Sequence, residues 1–127
     1  QLEALAGGVK DYIARAKEVD GKRVVAEKVE AADSEQLKSL GDELRNALGT
    51  KGIGLLATIL DDKVQLVCVV TDDLKGAYPA GKLVGVAAKE LGGGGGGKPH
   101  LATAGGRDTA KLGEVLEHFP EMVKNFA

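Results

Sequence analysis

Apolar residues recur over the first nineteen positions at Leu2, Leu5, Val9, Tyr12, Ala16 and Val19, in alternating steps of three and four. That spacing lines one face of a helix and matches the heptad period of helices that pair. Gly7 and Gly8 interrupt it, each costing about 1 kcal/mol relative to alanine. Residues 1–20 read as a helical arm, and two uses stay open: pairing with a second copy, or packing on the domain that follows. Asp20-Gly21 then turns the chain into KRVVAEKVE, a strand pattern with Val24 and Ala26 on one side and Val25 and Val29 on the other.

The next stretch, AADSEQLKSLGDELRNALG, predicts a helix. Asp33 and Gln36 are spaced as a capping box, Leu37, Leu40, Leu44 and Leu48 form a buried stripe, and Gly49 stands at the left-handed cap position. GIGLLATIL and KVQLVCVVT, joined by Asp61-Asp62, predict a hairpin of central strands. A second helix is expected from Pro79 to Leu91, ended by Gly92. Asp108 caps a last helix carrying Leu112, Val115, Leu116 and Phe119, and Pro120 predicts a break or kink before Val123 and Phe126. The order strand, helix, strand implies a parallel crossover, and the hairpin makes the sheet mixed. The expected fold is α/β: a small mixed sheet of about four strands packed with helices in residues 21–127, behind an arm in 1–20.

Composition narrows this picture. A chain of 127 residues, 43% apolar, suits one domain with a real core. Two Tyr, two Phe and no Trp make that core aliphatic. A net charge of −2 carries no global signal for a polyanion or a membrane, and no apolar run approaches the roughly 20 residues that span a bilayer. Met122 is the only methionine, and the chain opens inside a helical pattern, so it reads as a piece of a longer protein. Cys68, alone within LVCVV, reads as a small buried hydrophobe. No Cys or His spacing suggests zinc, and a reducing, cytoplasmic setting fits.

Residues 92–106 read GGGGGGKPHLATAGG. A hexaglycine is ordinarily a flexible linker. This one runs directly into Lys98-Pro99 and then into Ala102, Thr103 and Ala104, small residues that a linker does not need. Bare amides can form an anion-binding concavity. The surrounding segment carries Lys75, Lys82, Lys89, Lys98 and Arg107 against Glu90 alone, so a basic patch sits in an otherwise acidic chain. A P-loop is excluded because Pro99 stands where Ser or Thr would hold magnesium. His100 and His118 have no nucleophile or carboxylate partner in a catalytic pattern, and the Asp61-Asp62 and Asp72-Asp73 pairs read as turns rather than metal ligands. The residues thus point to a binding role, with no catalytic and no metal-binding residues assigned.

The same fifteen residues resemble the glycine-rich signature of the C-terminal domain of alanyl-tRNA synthetases. The match runs through Gly92 to Gly97, Lys98, Pro99, His100 and Leu101 into Ala102, Thr103, Ala104, Gly105 and Gly106. It departs at His100, where the synthetases often carry Asp. The order of the preceding elements is similar too, so the resemblance covers essentially the whole chain. DHH-type phosphoesterases share the domain in looser form, with a shorter glycine run followed directly by His, and Lys98-Pro99 favours the synthetase.

The resemblance implies a non-catalytic tRNA-binding domain of an ATP-dependent alanine–tRNA ligase in the cytoplasm. It would dock on the outer corner of tRNA(Ala) and support aminoacylation and editing. Partners would be that tRNA, the upstream aminoacylation and editing domains, and a second copy through the arm. ATP, magnesium and zinc would bind only to domains upstream of Gln1. At 3% aromatic residues the chain is poorly equipped to stack single-stranded bases, whereas folded RNA is recognised by shape and backbone. The expected RNA contacts are Gly94, Gly95, Gly96, Gly97, Lys98, His100 and Arg107, with Lys82 and Lys89. The alternatives are the substrate-holding domain of a DHH-type phosphoesterase and a dimerisation module.

Overall fold

Mostly apolar runs make the two longest strands, and these form the centre of the sheet. A computed structural model describes residues 11–126. In it β1 (Lys17–Val19), β2 (Lys22–Lys28), β3 (Gly52–Leu60), β4 (Lys63–Val70), β5 (Gly94–Gly97) and β6 (Leu101–Gly106) form one sheet in the order β1-β2-β3-β4-β6-β5. β2 and β3 are parallel, as the crossover through helix α1 (Ser34–Leu48) requires, and every other pairing is antiparallel. The sheet is mixed, and its centre was legible. It has six strands rather than about four.

Two of the additions sit at the ends. Asp20 and Gly21, both at positive φ (49° and 81°), form a two-residue turn that pairs Val19 with Lys22. The turn therefore joins β1 to β2, and the helix ends before residue 17 instead of running to Val19. Only residues 11–14 of the expected arm are helical in the described part. There Tyr12 and Ile13, with Ala16 just beyond, pack against the core of this same domain. The heptad positions Leu2, Leu5 and Val9 lie outside the described residues.

Alternation along each strand divides the core between the two sheet faces. On one, Val25, Leu56, Val67 and Val69 meet Leu37, Leu40, Leu44 and Leu48 of α1. On the other, Val24, Ile53, Leu55, Leu66, Cys68, Ala102 and Ala104 meet helices α2 (Ala80–Glu90) and α3 (Leu112–Phe126). The α1 cap matches its pattern: Gln36 N–H donates to Asp33 Oδ1 at 2.8 Å, and Gly49 follows at φ 72°. Asp61 and Asp62 both take positive φ in a two-residue hairpin turn between β3 and β4.

Pro120 does not break the last helix, which runs through it. Phe119 and Val123, on either side, are both fully buried. Their burial holds the two halves on the sheet despite the missing amide hydrogen. Asp108 accepts from Lys111 N–H at 3.2 Å, capping a short 3-10 turn (Thr109–Lys111) that leads into α3.

Candidate functional site

The glycine run is a strand. Gly94 to Gly97 pair antiparallel with Gly105 to Ala102, making β5 the outermost strand of the sheet. Directly paired residues share a face, so the glycines divide by parity. Gly95 and Gly97 share a face with Ala104 and Ala102, on the α2 side. Gly94 and Gly96 share the opposite face with Gly105 and Thr103.

The two sets have different reasons to be glycine. A Cβ on Gly95 would lie 2.5 Å from Ala104 Cα and from the Thr103 carbonyl oxygen. One on Gly93 would lie 2.7 Å from the Gly105 carbonyl carbon, and one on Gly97 would lie 2.9 Å from Ala102 Cα. α2 adds to this crowding, since a Cβ on Gly81 would come within 3.0 Å of the Gly97 oxygen. These positions are bare so that strand and helix can close up. A Cβ on Gly94 or Gly96 would meet nothing within 4 Å, and neither has positive φ. Nothing inside the described fold requires glycine at either.

Gly94 and Gly96 look onto a part of the sheet that α1 leaves open. α1 lies over β3 and β4, while all four β5 residues are exposed and Leu101, Thr103 and Gly105 are half-buried. The result is a groove of about 400 Å³ between α1 and the β5–β6 hairpin. Its floor is Gly96, Gly97, Leu101, Ala102 and Thr103; Lys38 and Asp42 of α1 form one wall, and Lys98 and His100 form the rim. The loop carrying the rim is pinned at both sides. The Pro99 carbonyl accepts from Ala80 N–H at 2.8 Å, and the His100 carbonyl accepts from Val70 N–H at 3.0 Å.

Strand geometry also changes what the glycines can offer. Peptide N–H and C=O groups of a strand lie in the plane of the sheet, not out of its face. An amide concavity needs alternating helical conformations instead of a paired strand. The β5 part of the floor therefore presents flat peptide groups and Cα hydrogens beside the Thr103 and Leu101 side chains of β6, and amides are presented only along the free edge of β5.

The structure gathers Gly96, Gly97, Lys98 and His100 at the groove, with Gly94 on the same open face. Gly95 faces away, into the α2 side. Lys82 and Lys89 lie on the exposed side of α2, across the sheet from the groove. Arg107 follows the far end of the six-residue β6, roughly 20 Å from the Lys98 loop at its near end. Lys38 and Asp42 also line the groove and were not among the expected contacts, and Thr103 stood out only as a small residue. One signal was available: Gly41, inside the apolar stripe of α1, marks a close approach of that helix to the sheet, and a Cβ there would lie 3.1 Å from Val67 Cγ2.

Cys68 is free and fully buried, and burial pushes its thiol far above the ordinary range. His118 is exposed on α3. Among the described residues no three His, Cys, Asp or Glu side chains converge as a metal site, and no helix is long and apolar enough to cross a membrane.

This sheet, with its glycine edge hairpin, is that of the DHHA1 domain family, to which the chain belongs: the family model matches residues 21–125. Within that family its relatives are alanine–tRNA ligases. It is 49% identical over 112 residues to the enzyme of Geobacillus thermodenitrificans, covering 87% of this chain and 13% of the ligase. It is 44% identical over 121 residues to that of Bacillus cytotoxicus, covering 94% of this chain and again 13% of the relative. The chain thus spans only a small part of the curated relatives it matches. The crystal structure of the C-Ala domain from Aquifex aeolicus alanyl-tRNA synthetase superposes with a TM-score of 0.79 at 26% identity, covering 87% of this chain and 99% of that one. A DHH-domain protein described as a member of the s1p family of ribosomal proteins shares the fold, with a TM-score of 0.53 at 21% identity over 98% of this chain and 31% of that one.

Proposed function

We propose that this chain is the C-terminal, tRNA-binding domain of an alanine–tRNA ligase. It docks the open face of the β5–β6 hairpin on the outer corner of the alanine tRNA. The observation that carries this reading is the pair Gly94 and Gly96. Both are bare where the described fold leaves room for a side chain, on a surface flanked by Lys38 and Lys98. A missing side chain that packing does not explain is accounted for by a partner that comes within contact distance of the backbone. The outer corner of a folded tRNA is flat and ringed by phosphates, so it matches a flat floor with cations at its border.

In this reading the domain does no chemistry. It holds one tRNA within reach of the aminoacylation and editing centres, and ATP, magnesium and zinc belong to those upstream domains. The test is binding of the chain to folded alanine tRNA, compared with single-stranded RNA of equal length across a salt series. Tighter binding to the folded tRNA, weakening with salt and impaired by Gly96→Ala, supports the reading. Preference for the single strand would favour a phosphoesterase-type substrate domain, and binding to neither would remove the RNA role.

A further inference from the structure

Both sides of the groove are tied to one residue of the sheet. Lys38, Asp42 and Arg45 follow one another along α1 at steps of four and three, so they share a stripe of that helix. The first two line the groove, and the third reaches the end of β4 instead. Arg45 Nε donates to the Val70 carbonyl at 3.0 Å, and its Nη2 pairs with Asp72. The N–H of the same Val70 donates to the His100 carbonyl at 3.0 Å. The α1 wall therefore holds Val70 through its C=O and the rim holds it through its N–H.

The two bonds of Arg45 differ in weight. Asp72 is 73% exposed, so the ion pair stands in water and contributes little. Val70 is fully buried, and without the guanidinium its carbonyl loses a donor where water does not replace it. The leucines of α1 hold the helix on the sheet, but apolar contact is non-directional and leaves its tilt free. Among the described residues, the other side-chain hydrogen bond between α1 and the sheet runs from Arg23 Nη2 to the Leu48 carbonyl, on the β2 side away from the groove. Building on the RNA-binding reading above, we infer that Arg45 is a positioning residue. It touches no RNA itself and sets the separation between Lys38 on the wall and Lys98 on the rim, so that both meet phosphates of one docked RNA.

The experiment measures binding of a folded alanine tRNA transcript to wild type, Arg45→Met, Arg45→Ala and Asp72→Asn across a salt series, below the melting midpoint of each. Arg45→Met keeps the apolar stem and removes the donors, so it remains informative where Arg45→Ala folds poorly. Both Arg45 variants are expected to weaken binding at least about threefold. The slope of log K against log salt should stay at its wild-type value, because no phosphate contact is lost. Asp72→Asn keeps the bond to Val70 and should bind within about twofold of wild type. In NMR spectra of the free chain, the amides of Lys98 and Leu101 should shift in the Arg45 variants and stay in place in Asp72→Asn.

Wild-type affinity in the Arg45 variants, even with a lowered melting temperature, would reduce Arg45 to a support of the helix end and overturn the inference. A slope lowered by about one would make it a phosphate contact and overturn it too. So would weaker binding with unmoved rim amides, or an equal loss in Asp72→Asn. If the wild-type chain binds no transcript, the RNA-binding reading falls, and the amide shifts judge Arg45 separately. Displaced Lys98 and Leu101 amides would uphold its hold on the groove, and unmoved ones would end it.

Discussion

Gly95 and Ala104 face each other across the β5–β6 pair so closely that a Cβ at position 95 would lie 2.5 Å from Ala104 Cα. At position 96 the same atom would meet nothing within 4 Å. Adjacent alanine substitutions should therefore fail in different ways. Gly95→Ala is expected to cost about 1–3 kcal/mol of stability, the usual range for overpacking. Gly96→Ala should melt within about a degree or two of wild type and still lose RNA affinity, because its methyl group stands in the approach path. Thermal melts beside tRNA titrations separate the two, and equal destabilisation by both would contradict the parity assignment.

The cations divide by sheet face. Lys98→Ala is expected to weaken tRNA binding and reduce the slope of log K against log salt by about one. Lys82→Ala and Lys89→Ala, on the far side of the sheet, should change affinity by less than about twofold, since their charge is screened beyond about 8 Å. A salt series on all three variants decides it. A larger loss at Lys82 or Lys89 would move the interface to α2.

Cys68 should be inert in the native chain. It is fully buried, and desolvation raises its thiol so that no reactive thiolate forms at neutral pH. An Ellman assay should find no reactive thiol in buffer and one per chain in denaturant. Rapid labelling of the native chain would show that the β4 region opens.

Asp73 links stability to pH. Its carboxylate accepts from Thr71 Oγ1 at 2.6 Å and from Lys51 N–H at 2.9 Å, and these bonds, the hydroxyl first, hold it below the ordinary aspartate range. A lowered folded-state value means the contribution is complete above the unfolded value near 4 and is lost as pH falls through the folded one. Urea midpoints measured from pH 7 to pH 3 should fall less steeply for Asp73→Asn than for wild type. Parallel curves would show that Asp73 contributes nothing to acid unfolding.

The centre of this fold was readable because α1 carries a long apolar stripe with its caps, β3 and β4 are near-continuous apolar runs joined by a turn, and β2 follows the Asp20-Gly21 turn. The ends were not. Val19 satisfied the heptad spacing as well as it satisfies β1, and a three-residue strand is too short to announce itself by alternation. β5 is the extreme case: glycine disfavours strands, so four of them form one only through pairing with β6 and the cover of α2. Composition singled out residues 92–106 but could not assign them to faces. That required the register, and with it Gly95 separates from Gly96 and Lys82 from Lys98. Lys38 and Asp42 lie more than fifty residues from the glycines in sequence, and only the packing of α1 brings them alongside.

An edge strand normally protects itself with lysines, prolines or bulges along its length, so that a stray strand cannot add on. β5 has no side chains with which to do this. What restrains it is brevity: four residues, ended at once by Lys98 and Pro99, with α2 close behind one face. The domain therefore carries a short, unguarded margin at one end of its sheet, and four residues give an intruding strand too few backbone bonds to hold on.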